Sequence, residues 1–381
     1  MTDVNGREVA RYGHSDRLPE LQVAPGDANI VEIPVRSGPI SGIAVSPDGR
    51  RLMVTHYGHD SVSVIDTDTC RVVRTVDGVN EPYAIAVASQ DIGRAYVSTV
   101  SPAYDSITAI DMSTDAVVAT YPLALSISDL AVSSDGKYIY AGRNDARAAD
   151  VAVVDTATDK IEVIEVADAP GISTQCLCVS SDGSRLYVGT NGPAGSRLVV
   201  IGTRVDDGSG RPRGHSRWRR KRTESADKGL RIIDTVDIGL PIRDVALSPD
   251  GTIAYVASCG PDTGAVVDVI DTRTNKITHT RKIAEIGGLL TGLTISGDGD
   301  RAYLVGDDGI TVLCTLTHDV IGTVGVATQP SCLVESPDGK YLYIADYDGA
   351  VTVAPIASTM TSIESVEWAM PELLQYEAAL V

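Results

Sequence analysis

Two histidines three positions apart, His56 and His59, followed by Asp60, carry the donor types of a transition-metal site. The spacing falls on a loop and brings no clear third ligand, so the pair reads as solvated loop histidines and no metal is expected. Asp307-Asp308 and Asp346-x-Asp348 offer hard oxygen ligands, but Asp308 and Asp348 each precede a glycine, which is ordinary turn chemistry. Six cysteines (Cys70, Cys176, Cys178, Cys259, Cys314, Cys332) contain no CxxC pair and read as reduced, buried thiols. No Gly-rich phosphate loop, HExxH helix or GxSxG elbow is present, so no cofactor is expected.

Two further features carry charge in unusual places. Glu335 occupies a position that other repeats fill with Val45, Val132, Val179, Leu247 or Ile295. It is a candidate buried acid, which would need a partner or a raised pKa, with an exposed or simply paired Glu as the alternative. The segment Arg204 to Gly229 holds nine Lys or Arg against four Asp or Glu, a local charge of +5 in a chain of net charge −19. Within it, Arg217, Trp218, Arg219, Arg220, Lys221 and Arg222 combine clustered cations with one stacking aromatic. That suits a phosphate backbone or an acidic partner; the alternative is a loop leaning on the protein's own acidic surface.

The elements that must position these residues are repeated. Turns recur as SPDG, SSDG or SGDG at Ser46, Ser133, Ser180, Ser248, Ser296 and Ser336, with a degenerate SQDIG at Ser89. Five residues after each turn Asp stand Met53, Tyr96, Tyr140, Tyr187, Tyr255, Tyr303 and Tyr343. Short β-rich runs flank each turn. A third run ends in Val64-Ile65-Asp66-Thr67 and its counterparts, and a fourth closes the unit, as in Val72-Val73-Arg74-Thr75-Val76. Four strands per repeat make a propeller blade, and seven repeats predict an all-β, seven-bladed β-propeller of four-stranded antiparallel blades. The last unit runs out after its third strand, so Ile30 to Val35 is expected to complete blade seven and close the ring.

The elements Ala-Val-Ser-Pro-Asp-Gly, Tyr-Val and Val-Ile-Asp-Thr resemble those of the YVTN-repeat β-propellers, related to surface-layer and quinoprotein-like propellers. The resemblance spans about residues 29–357 and implies the fold; it carries over no catalytic positions, although related lactonases and lyases exist. Turn spacing is 40 to 48 residues except for 68 in blade four, where residues 204–229 are inserted. Residues 1–28 read as a flexible N-terminal segment and 358–381 as a tail, with a short helix starting at Pro371 that docks on the propeller or, as the alternative, on a partner.

Loops joining second to third strands, and fourth strands to the next blade, share one face around the channel mouth. They collect His56, Tyr57, His59, Tyr83, Tyr104, Arg143, Asn144, Arg147, Gln175, Asn191, Arg243, Asp346 and Tyr347 as candidate ligand-binding residues. The acidic balance, with pI near 4.6, argues against a surface that binds nucleic acid or anionic lipid as a whole. The reading is a non-enzymatic binding or scaffold propeller, expected to be monomeric and cytoplasmic, taking a protein or small molecule at the mouth. The alternatives are a lactonase- or lyase-like enzyme at the same mouth, and nucleic-acid contact through the basic segment.

Overall fold

The structure, a computed structural model, describes residues 30–203 and 230–356 except 91–92, 102–103, 147, 168, 262, 285, 287 and 327–328. The basic cluster at 217–222, Arg147 and both termini therefore lie outside the described residues. Among the described residues there are 28 strands in seven four-stranded antiparallel sheets and no α-helix. Blades one to seven begin with the innermost strands Ile40–Val45, Ile85–Val87, Ser126–Val132, Ser173–Val179, Ile242–Leu247, Leu290–Ile295 and Pro330–Glu335.

Each SPDG-type turn is built by its own side chains. Ser46 Oγ donates to Asp48 Oδ1 at 2.6 Å and accepts Arg51 N–H at 2.9 Å, while Gly49, at φ +72°, returns its N–H to the Ser46 carbonyl. Only a residue at ease with positive φ closes this turn without strain. The Ser46 hydroxyl and the Arg50 N–H hold the Asp48 carboxyl below its ordinary pKa.

The recurring tyrosine joins one blade to the next. The hydroxyls of Tyr140, Tyr187, Tyr255 and Tyr343 meet Thr203, Thr272, Thr315 and Thr67 of the following blade. Those threonines in turn donate to a turn glycine carbonyl, as Thr67 does to Gly49 O at 2.6 Å and Thr272 to Gly251 O at 2.7 Å. A buried phenol needs such a partner. Two seams lack the pair, and each replaces it differently. Met53 of blade one packs in the same cluster as Met112, which stands at the threonine position of blade two. Ile356 stands at that position in blade seven, so Tyr303 instead accepts from Arg301 Nη1 at 3.3 Å, with Glu335 beside it. Glu335 thus sits in the seam between blades six and seven, its Oε1 accepting Gly297 N–H at 3.4 Å, and burial raises its pKa.

Seven apolar clusters fill the seven seams between consecutive blades, so each blade is stable only against its neighbours. The fourth strands, such as Arg71–Asp77, face solvent. Closure follows the expectation. Val31–Pro34 pairs antiparallel with Ala350–Pro355, Val31 opposite Val353 and Ile33 opposite Val351. Val35 and Arg36 donate to the Gly349 carbonyl, and Ile33 packs into the seam between blades seven and one.

Candidate functional site

At the mouth end of the channel, the innermost strand slips register by one residue in six of the seven blades. A bulge of this kind leaves one residue without a cross-strand partner and re-aims its side chain, and bulges gather beside functional sites. The bulged residues are Ser41, Ser128, Gln175, Arg243, Thr291 and Ser331. Tyr83 holds the same place in blade two, just before Ile85–Val87. All seven are polar or hydroxyl-bearing.

Four tyrosines at this end are exposed, Tyr83 in the ring itself and three on loops that follow second strands. Tyr57, Tyr83, Tyr104 and Tyr347 are 57%, 48%, 46% and 43% exposed, large values for aromatic rings on a compact scaffold. Tyr57 and Tyr83 meet edge to face with centroids 6.4 Å apart. Burial raises the Tyr83 hydroxyl pKa, and Asp129 of blade three and Cys332 of blade seven add to it, so this ring leans over the channel. Tyr347 is raised by burial first and then by Tyr83, which joins the two rings at one mouth.

The charged and amide candidates have a different placement. Arg143 is buried, with Nε and Nη2 on the two Asp150 oxygens at 2.7 and 2.9 Å and Nη1 on the Leu123 carbonyl at 2.6 Å. Asn144 accepts Thr174 N–H at 2.7 Å and donates to Thr174 O at 3.1 Å, fixing blade three to blade four. Asn191 does the same one seam on, with Ile242 N–H at 2.8 Å and Ile242 O at 2.9 Å. Asp346 is buried and accepts Ala350 N–H at 2.8 Å. His59 is exposed and lies over Gly38, where a Cβ would come within 2.5 Å of its ring. These polar groups, His59 apart, are turned into the blades; the exposed rings are not.

His56 is not the solvated loop histidine its spacing suggested: it ends the strand Arg51–His56 and is fully buried, its Nε2 hydrogen-bonded to Ser63 Oγ at 2.8 Å. Burial lowers its pKa to about 4, against an opposing contribution from the Gly38 backbone. The folded state therefore holds the imidazole neutral where the unfolded chain would be protonated, so its contribution is present above pH 6.5 and is lost as pH falls toward 4. The stability advantage of the parent over His56→Asn should shrink by on the order of 2 kcal/mol across that window, allowing for screening. Urea unfolding at stepped pH measures this; a constant difference would contradict a neutral, buried imidazole.

Two carboxylates went unnoticed in the sequence. Asp129 and Asp244 each follow a bulged residue and reach into the next blade. Asp129 accepts Leu177 N–H at 2.7 Å and its neighbour's Leu130 N–H at 2.8 Å, and Asp244 accepts Leu293 and Val245 N–H, both at 2.8 Å. Burial raises Asp129 to about 7, helped by Asp244, and burial raises Asp244 to about 6. The equivalent positions in the other blades are Gly42, Ala84, Cys176, Gly292 and Cys332. A repeat position that is never a large aliphatic was the available signal.

Burial pushes the Cys178 and Cys332 thiols up to about 12, which keeps them protonated and poor nucleophiles near neutrality. Among the described residues no group of three His, Cys, Asp or Glu is placed to hold a metal ion. No helix among them is long and apolar enough to cross a membrane. A cavity of about 190 Å³ opens on the outer part of blade three, between Tyr138, Asp155, Lys160 and Glu162. Its wall also includes Thr203 and Leu230.

No family model matches the chain. It is 57% identical over 394 aligned residues to the seven-bladed β-propeller protein Rv1057 of Mycobacterium tuberculosis, with all of both chains covered. Among solved structures, hydrazine synthase of Kuenenia stuttgartiensis superposes with a TM-score of 0.67 over 89% of this chain and 99% of that one. At 20% identity that likeness is one of fold alone.

Proposed function

The chain belongs to the family of seven-bladed β-propeller proteins that includes Rv1057, and from that premise we propose that it is a binding propeller whose ligand seats at the channel mouth. The observation that carries this reading is the division of roles at the mouth. Arg143, Asn144, Asn191, His56 and Asp346 are held by bonds within and between blades, whereas Tyr57, Tyr83 and Tyr347 remain exposed at the bulged ring. Exposed aromatic rings on a rigid frame supply contact area at little conformational cost.

A ligand that binds only the folded state raises the melting temperature by mass action. Melting against a metabolite library should yield a compound that shifts the parent and leaves Tyr83→Ala unmoved. A shift of equal size in both proteins would place the site elsewhere.

The alternative, a lactonase- or lyase-like enzyme, is favoured by Asp129 and Asp244, whose raised pKa values suit acid–base chemistry near neutrality. Both are nevertheless engaged by two backbone donors each, which fits a role in joining blades. Turnover on a lactone panel that disappears in both Asp129→Asn and Asp244→Asn, with folding retained, would decide for the enzyme.

A further inference from the structure

The bulged residues are not equally engaged. Ser41 Oγ bonds to Thr55 Oγ1 at 3.0 Å and to Pro82 O at 3.1 Å, and Ser128 Oγ bonds to Thr174 Oγ1 at 2.8 Å. Gln175 and Arg243 differ. The Gln175 side-chain amide makes no hydrogen bond among the described residues. Arg243 spends only its Nε, on Cys259 Sγ at 3.2 Å, and its guanidinium meets no carboxylate among them. Both are half-buried rather than free to swing in solvent. Arg243 is also the one cation among the seven bulge positions, in a chain whose net charge is −19. A guanidinium on the wall with both terminal nitrogens unspent and no carboxylate partner among the described residues can receive an anion.

Their place in the ring adds a second argument. Gln175 belongs to blade four and Arg243 to blade five, and in a seven-membered ring the seam between these two blades lies across the channel from blade one. Blade one carries Tyr57, and its neighbours on either side carry Tyr83 and Tyr347. The mouth is therefore polarised: donors of N–H on one side, aromatic faces and edges on the other. Two free guanidinium nitrogens match the two oxygens of a carboxylate or phosphate, an amide N–H can add a third contact, and the opposing rings suit a flat body.

We propose that the ligand of this mouth is a small planar molecule bearing a carboxylate or phosphate, its oxygens received by Arg243 and Gln175 and its ring laid against Tyr57, Tyr83 and Tyr347. The assignment rests on the binding-propeller reading and specifies the chemistry of that same site.

The test is calorimetric titration of the full chain with phenyl phosphate, benzoate, benzyl alcohol and benzylammonium. The two anions are expected to bind and the other two not. Arg243→Met, which keeps an unbranched stem against Cys259, should weaken the anions at least about tenfold, and Tyr57→Ala should weaken them too. Circular dichroism and melting of the unliganded variants establish that they fold. Preference for benzylammonium, anion affinity unchanged in Arg243→Met, or no anion binding up to about 10 mM each overturns the assignment. The two readings fail separately. A library ligand that is lost in Tyr83→Ala but retained in Arg243→Met leaves the binding propeller standing without its anion subsite; a ligand insensitive to both variants removes the mouth itself.

Discussion

Replacing Arg143 with methionine is expected to cost the folded protein about 3–5 kcal/mol, read from urea unfolding at neutral pH. The guanidinium makes two bonds to Asp150 and one to the Leu123 carbonyl, and the two side chains of the pair are only 9% and 13% exposed. Methionine fills much of the space but leaves a carboxylate and a carbonyl without their donor, and an uncompensated charge away from water is among the few large single-residue penalties. Removing both partners, as Arg143→Met with Asp150→Leu, should recover much of the loss. If Arg143→Met unfolds as the parent does but abolishes ligand binding, the arginine belongs to the site and not to the frame.

The second large effect is at the ring closure. Ile33 is 3% exposed among Val351, Val353 and Ile40, whereas Val31, two residues earlier on the same strand, is 41% exposed. Ile33→Asp places a carboxylate in an apolar seam with no partner and should cost at least about 4 kcal/mol. Val31→Asp should cost under about 0.5 kcal/mol. Losing the closing strand also bares the edge of Ala350–Pro355 to other chains, so the Ile33 variant should scatter light at concentrations where the Val31 variant does not. Equal behaviour of the two variants would mean that this strand does not close the ring.

The architecture was legible because two physical requirements recur at fixed spacing. A Ser–Asp–Gly turn closes on its own side chains, and a buried tyrosine hydroxyl must find the next blade's threonine. Even the exceptions fall into place: Met53 with Met112, and Glu335 with Arg301 where Ile356 replaces threonine. The mouth was legible only as a location. Loop position brought Arg143, Asn144, Asn191 and His56 to the mouth end of the blades, but it carries no information on whether a side chain turns outward or back into a seam. Asp129 and Asp244 were missed because a bulge breaks the two-residue alternation by which an inner strand is read, so the residue after it loses its expected face.

On this reading the mouth residues are surplus to folding while the residues beneath them are not. One set of urea unfolding curves, for Tyr83→Ala and Arg243→Met beside Arg143→Met, tests it directly. The two mouth variants are expected to stay within about 0.5 kcal/mol of the parent while Arg143→Met falls by several. Losses of similar size in all three would contradict it, because the mouth would then be scaffold throughout, with no side chains held in reserve for a ligand.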